Sequence, residues 1–352
     1  MTTDVGDTLP THGEQTKPLP TNANSKRWRP TTRIGLGGVA IGNGFSPMTN
    51  VDSTATLQAA WDAGVRYFDT SPFYGFGLSE RRFGHFLAEH PRDEFVLSTK
   101  VGRVFTAGQP PEHPLWKQPS PFVFRYDYSG DGVQRSIEDS LQRLGLARID
   151  CVFVHDLSPD NEDFEGAWKE RFAEAAKGAF PALVKLREQG VIRAWGLGVN
   201  RIDPVLMALE ASDPDIFLLA TQYSILHHAD TVARVLPKLA ERDVSMIVGA
   251  PLEAGFLGGR DRYDYGGTVP PGMPERRARI EALAKEHGID LRTAALQFAN
   301  APAEVAAVIP GARTPEQARS NAASLTVEIP AAFWQALRSE KLIDAAAPVP
   351  RD

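Results

Sequence analysis

A single closed (β/α)8 barrel, an α/β fold of the TIM-barrel class, is the architecture this sequence predicts. Three observations predict it: eight short apolar runs of strand type, amphipathic helical stretches between them, and no break in composition from residue 31 to residue 345. Strands that alternate with helices need crossover connections, which make a parallel sheet, and eight such units suffice to close it. An open, doubly wound sheet reads similarly and is the runner-up.

The strand-type runs fall at residues 34–41, 65–70, 95–100, 149–155, 192–200, 216–223, 245–251 and 305–310. Helical patterns, with apolar residues every three or four positions, fall between them at 54–63, 80–89, 133–144, 180–189, 231–242 and 274–287. Gly64, Gly145 and Gly190 each follow a helical run, where a residue able to take positive φ is wanted. The glycine-rich stretch 35–42 is expected within a strand or hairpin. No acidic residue follows it at the spacing of a dinucleotide fingerprint, which counts against the doubly wound alternative.

Residues 1–30 lack apolar periodicity and are rich in Thr, Pro, Asn and Asp, so they are expected to form a flexible tail ahead of a barrel spanning 31–345. With 42% hydrophobic and 23% charged residues, the chain has the composition of a globular protein with a sizeable core. A net charge of -6 gives no basic footprint for nucleic acid or an anionic membrane, which leaves a small-molecule substrate as the expected partner. Cys151 is the one cysteine, so no intrachain disulfide is possible. With no signal-type apolar run near the start, the expected location is cytoplasmic.

Two long loops interrupt the alternation, at 102–131 after the third strand and at 253–272 after the seventh. Loops of this length in a barrel are usually functional, and those that follow strands lie on the catalytic face. Trp116, Phe122, Phe124 and Tyr126 within the first of them serve either as pocket walls or as the loop's own packing.

Polar residues gather at strand ends. Asp69 closes the second strand, Lys100 the third and His155 the fourth, while Asn200 and Gln222 close the fifth and sixth. Barrel interiors are lined mainly by branched apolar side chains, so an Asp, a Lys and a His at matching heights need each other or a ligand. Tyr74, five residues past Asp69, can reach the same mouth. Its phenol, with an ordinary pKa near 10, needs activation to move protons at neutral pH. Lys100 is expected to lower that pKa, with Asp69 holding the lysine and His155 hydrogen-bonding the substrate oxygen. Taken singly, Asp69 is an ordinary turn former, and His155 with Asp156 an ordinary buried pair; their register favours catalysis. His227 and His228 have no third ligand at useful spacing, so no metal is expected, and Cys151 is expected to be an inert core residue.

The segments Phe68-Asp69-Thr70-Ser71-Pro72-Phe73-Tyr74-Gly75, Ser98-Thr99-Lys100 and Val154-His155-Asp156 resemble the aldo-keto reductase superfamily, over about Thr32 to Ser339. The resemblance implies an Asp69, Tyr74, Lys100 and His155 catalytic tetrad and a nicotinamide cofactor, NAD or NADP. Gly77-Leu78-Ser79-Glu80-Arg81-Arg82, Asp127-Tyr128-Ser129 and Asp139-Ser140-Leu141-Gln142-Arg143-Leu144 resemble one branch, that of D-threo-aldose, L-fucose and L-galactose dehydrogenases and pyridoxal 4-dehydrogenase. That branch implies oxidation of a lactol to a lactone, with Tyr74 as base.

By the same resemblance Asn200 and Gln222 hold the nicotinamide carboxamide, Pro251 and Leu252 contribute to the cofactor site, and Gly311, Arg313, Gln317 and Asn321 hold the adenosine end, with a helix starting near Pro315 offering backbone N–H groups to a phosphate. Two departures stand out. Gly249 occupies the place of a tyrosine that stacks on the nicotinamide in many relatives, and Gly311 and Ala312 replace a lysine and serine that clamp the phosphate of NADP. The second departure tips the balance to NAD, with NADP retained because Arg313 is near. Sugar lactol oxidation is the leading reading. Pyridoxal oxidation and general aldehyde or ketone reduction stand beside it, and a nicotinamide-sensing regulatory subunit is the non-enzymatic alternative.

Overall fold

The structure is a computed structural model that describes residues 26–265 and 267–350. Eight parallel strands form its sheet: β1 (Gly35–Gly37), β2 (Tyr67–Asp69), β3 (Val96–Val101), β6 (Cys151–His155), β7 (Ala194–Val199), β8 (Ile216–Ala220), β9 (Ser245–Gly249) and β10 (Val305–Ile309), in that spatial order. β10 returns to β1: Val308 N–H donates to Arg33 O at 3.0 Å and Gly37 N–H to Pro310 O at 3.2 Å, which closes the barrel. Most strands are shorter than their apolar runs suggest: β7, β8 and β9 stop at Val199, Ala220 and Gly249, before the last residues of those runs.

Strand periodicity sorts side chains into two cores. Tyr67, Cys151, Phe153, Ile216 and Leu218 point one way and fill the barrel. Their neighbours Phe68, Val152, Val154, Phe217 and Leu219 point the other way, into the layer between strands and helices. Both faces being apolar, the runs are near-continuous, as a buried parallel sheet requires.

The outer layer comprises α1 (Asn50–Asp62), α2 (Leu78–Leu87), α3 (Gly130–Leu144), α4 (Trp168–Lys177), α5 (Ala179–Glu188), α6 (Ile202–Ala211), α7 (Leu236–Arg242), α8 (Met273–Glu286), α9 (Leu291–Asn300), α10 (Pro315–Ser324) and α11 (Ala331–Ser339). Gly64, Gly145 and Gly190 do take positive φ at the helix ends. None of the helices among the described residues is long and apolar enough to cross a membrane.

Three sequence expectations change. The glycine-rich stretch divides: β1 ends at Gly37, and the residues beyond it turn across the mouth instead of continuing a strand or hairpin. The loop 102–131 carries an antiparallel hairpin, β4 (Arg103–Ala107) with β5 (Phe122–Tyr126), so much of its length is regular structure. Residues 1–25 of the expected tail lie outside the described residues, but 26–30 are fastened to the barrel. Arg27 pairs with Asp213 at 2.5 Å and Asp215 at 3.2 Å, and Trp28 packs against the barrel core.

Candidate active site

Three strand ends and one turn supply the central residues. Asp69 is the last residue of β2, Lys100 the last but one of β3 and His155 the last of β6, while Tyr74 lies in the turns between β2 and α2. Lys100 Nζ donates to Asp69 Oδ2 at 2.8 Å and to Thr70 O at 2.8 Å, and Ser98 Oγ donates to Asp69 Oδ1 at 2.7 Å. Asp69 and Lys100 are each only 1% exposed. Burying both charges is costly, and it is tolerated here because each has a partner and further hydrogen bonds.

The Lys100 ammonium stands 4.5 Å from the centroid of the Tyr74 ring, over its face, and the His155 ring is 5.9 Å from that ring. The four side chains expected from sequence are therefore brought together. The expected effect on Tyr74 is not found: its phenol is pushed well above the ordinary value, by burial first and then by the Asp69 and Asp156 carboxylates. The reason is geometric, since Asp69 cancels the ammonium it holds and the ammonium faces the ring rather than the hydroxyl. His155 is held well below its ordinary value by burial, then by Arg103 and Lys100, so it stays neutral.

Two clefts meet here. The first, of about 340 Å3, runs from Tyr74 past Gly37 and Gly38, along Ala250, Pro251, Leu252 and Gly255, to Gly311, Gln317 and Asn321. Arg260, Arg262, Arg292 and Arg313 line it, and Asp69, held by Lys100, is its one carboxylate among the described residues. Burial and then repulsion from neighbouring guanidiniums lower the pKa of Arg262 and Arg313. A cleft of glycines and backbone edged by such cations suits a long polyanion, and a nicotinamide dinucleotide fits that description.

The second cleft, of about 690 Å3, is lined by Phe73, Lys100, Arg103, Trp116, His155, Asn200 and Arg201, with Asp156, Asp160, Glu162, Asp163 and Asp264 as its carboxylates. Five acids face three permanent cations, the reverse of the first cleft. Val39, Tyr74, Leu218 and Tyr265 line both.

The expected cofactor residues are distributed as follows. Pro251, Leu252, Gly311, Arg313, Gln317 and Asn321 line the first cleft, and Asn321 Nδ2 donates to Gly311 O at 3.2 Å. Asn200 lines the second cleft and is bound to Asp160 at 3.0 Å. Gln222 is not among the lining residues of either; buried beyond β8, it turns its amide back on Thr221. The start of α10 is a poorer phosphate site than expected, because Thr314 Oγ1 already accepts from Gln317 N–H and Gln317 Oε1 from Arg313 N–H. At Gly249 a Cβ would stand 3.0 Å from Ala220 Cβ and from Leu218 Cδ2, so no large side chain fits without movement. Tyr265 comes instead from the loop after β9 to the place where the clefts join.

Sequence reasoning missed Arg103, Arg260, Arg262, Arg292 and Tyr265. Their signal was weak: four are basic or aromatic residues within the two long loops, and Arg292 is a basic residue in the first turn of α9. Of the four aromatic residues weighed in the first loop, Trp116 lines the second cleft, while Phe124 packs with Phe76 and Phe105. His228 is a buried structural residue, hydrogen-bonded to Ser224 O and Asp344 N. Cys151 is buried in the barrel, and burial raises its thiol pKa, which keeps it unreactive.

The sequence profile of the aldo/keto reductase family matches residues 33–341. The chain is 38% identical over 331 residues to a pyridoxal 4-dehydrogenase of Microbacterium luteolum, covering 89% of this chain and 94% of that protein. It is 36% identical over 322 residues to a D-threo-aldose 1-dehydrogenase of a Pseudomonas species, with 88% and 94% covered. In fold it is similar to the holo form of an aldo-keto reductase from Bacillus halodurans, with a TM-score of 0.70 at 23% identity, covering 95% of this chain and 98% of that one.

Proposed function

This chain belongs to the aldo/keto reductase family and is an oxidoreductase; we propose that it oxidises a sugar lactol of the L-fucose, L-galactose or D-threo-aldose type to its lactone. Tyr74 moves the hydroxyl proton, Lys100 and Asp69 fix its surroundings, and His155 donates a hydrogen bond to the reacting oxygen. The observation that carries the reading is the meeting of a cation-edged cleft and an acid-lined cleft at Tyr74. When bound, a nicotinamide dinucleotide supplies the hydride acceptor.

Pro251, Leu252, Gly311, Gln317 and Asn321 shape the dinucleotide's bed, and Arg260, Arg262 and Arg292 offer cations to its phosphates. NAD is favoured over NADP, because Arg313 already donates to Gly44 O at 2.5 Å and Pro47 O at 3.2 Å, while Gly311 and Ala312 add no cation. On the other side, Asp160, Asn161 and Asn200 present a polar surface suited to hydroxyl groups, and the surplus of carboxylates repels phosphorylated substrates.

A second reading, oxidation of pyridoxal, is favoured by the aromatic wall of Phe73 and Trp116, whose rings lie 5.5 Å apart at the second cleft. The test is a panel of L-fucose, L-galactose, D-arabinose and pyridoxal with NAD and NADP, followed by cofactor absorbance. Turnover is expected on at least one sugar with NAD preferred. Turnover of pyridoxal alone selects the second reading, and turnover of none rejects both.

A further inference from the structure

We propose that Arg103 sets the tautomer of His155, holding the ring neutral with its proton on Nε2 so that it donates rather than accepts a hydrogen bond at the second cleft. The inference deepens the proposed role of His155 and rests on it. Arg103 is 5% exposed, unusually deep for a guanidinium beside an active site. It reaches this depth because Gly102, at φ 110° and with the Tyr128 ring only 2.4 Å from where a Cβ would be, turns the chain from β3 into β4.

Aromatic faces hold the guanidinium flat: its carbon lies 4.0 Å from the Phe73 ring centroid, 4.8 Å from Tyr126 and 5.2 Å from Phe124. One terminal nitrogen is 2.9 Å from Asp156 Oδ2 and 3.2 Å from His155 Nδ1, while the other donates to Tyr126 OH at 2.9 Å.

The chemistry of those contacts leaves one solution. A guanidinium has only donors and does not lose a proton in proteins, so Nδ1 must accept. A neutral imidazole with an accepting Nδ1 carries its hydrogen on Nε2. The Ser71 hydroxyl, 3.2 Å from Nδ1, agrees, since it too can donate there while accepting from Phe73 N–H at 3.1 Å. Asp156 Oδ1, 3.4 Å from Nε2, lies on the side where that hydrogen sits. Tyr128 OH donates to His155 O at 3.0 Å and anchors the backbone.

The remaining charged neighbour, Lys100 on β3, is paired with Asp69, and Tyr74 is a neutral phenol at neutral pH. Arg103 is therefore the group that both denies Nδ1 a proton and, by its charge, opposes formation of an imidazolium. It acts through His155 and is a positioning residue.

The test uses the free, histidine-labelled enzyme, with long-range proton–nitrogen NMR reporting each ring's tautomer and a His155→Gln variant assigning the signal. Wild type is expected to show a bare Nδ1 and a protonated Nε2, with no titration of His155 from pH 5 to 8. Arg103→Met is expected to mix the tautomers and bring a titration into that range, with kcat lower by about 10²-fold, at the low end of what a positioned proton donor contributes. Arg103→Lys, which restores a donor, should recover the wild-type pattern. An unchanged tautomer and titration in Arg103→Met, or a protonated Nδ1 in wild type, would overturn the proposal. Because the NMR is read without substrate, it stands apart from the panel that tests the reaction.

Discussion

The two clefts that meet at Tyr74 are built on opposite principles. The first is made largely of backbone and glycine, edged by four arginines, with the one carboxylate locked to a lysine. The second is made of side chains, with five carboxylates, three permanent cations and an aromatic wall. The difference shows how one barrel mouth holds two unlike partners. A plain, cationic trough suits a partner that is always the same, whereas a surface of varied side chains carried on inserted loops can be specific for one substrate.

The contrast is broken most severely at the seam. Lys100→Met removes the ammonium under Tyr74 and leaves Asp69 buried without its ion pair. Thermal unfolding should show a stability loss of about 3–5 kcal/mol, and any folded enzyme should turn over about 10²–10⁴-fold more slowly. Equal turnover would show that the pair is structural only.

Next in size, Arg260→Ala combined with Arg262→Ala should weaken dinucleotide binding by roughly 10- to 100-fold, the value of one or two charge-assisted hydrogen bonds. Fluorescence titration reads it, and kcat at saturation should hold. Lost kcat with intact binding would mean that these guanidiniums serve the second cleft.

The pH dependence of the two directions sharpens the seam further. Burial and nearby carboxylates keep the Tyr74 proton on to well above the ordinary phenol range. Reduction needs that proton, so its rate should be flat through neutral pH and decline only in strong alkali. Oxidation needs the phenolate, so its rate should climb as pH rises. Parallel profiles in the two directions would assign the proton to another group.

The loop over the first cleft carries its own titration. Glu253 is fully buried, and burial first, then the neighbouring Asp264 side chain, raise its carboxyl pKa to about 9. A carboxyl whose folded value lies above its unfolded one loses stability as pH rises between the two. Glu253→Gln should therefore raise Tm, with a gain that grows from about pH 4.5 to about pH 9. A gain that is absent or shrinks with pH would contradict the account.

The smallest effect belongs to the rim of the second cleft. Glu162→Gln with Asp163→Asn should leave the KM of a neutral sugar within about twofold, as exposed charges contribute little, while relaxing the rejection of phosphorylated substrates.

The barrel and three of the four grouped side chains were legible in sequence for one physical reason: a buried strand is expected to be apolar, so Asp69, Lys100 and His155 at strand ends stood out, while Tyr74 was placed by its nearness to Asp69 in the chain. The first cleft's Gly311, Gln317 and Asn321 were legible only through resemblance. Arg103 and Tyr265 were not legible, because they sit in loops whose path depends on turns such as that at Gly102. The response of Tyr74 was misread, since the sequence shows a lysine but not that Asp69 cancels it or that the ammonium lies over the ring. Gln222 was expected to close the sixth strand, but β8 ends at Ala220, two residues before it and three before the end of the apolar run, and the amide turns back on Thr221.

The central claim is that Tyr74 is the proton-transfer group where the two clefts join. Its most direct measurement is a Tyr74→Phe variant titrated with NAD and assayed for L-fucose oxidation at saturation. The account predicts a dissociation constant within about twofold of wild type and a loss of turnover of about 10²–10⁴-fold. Turnover that survives the substitution would contradict it.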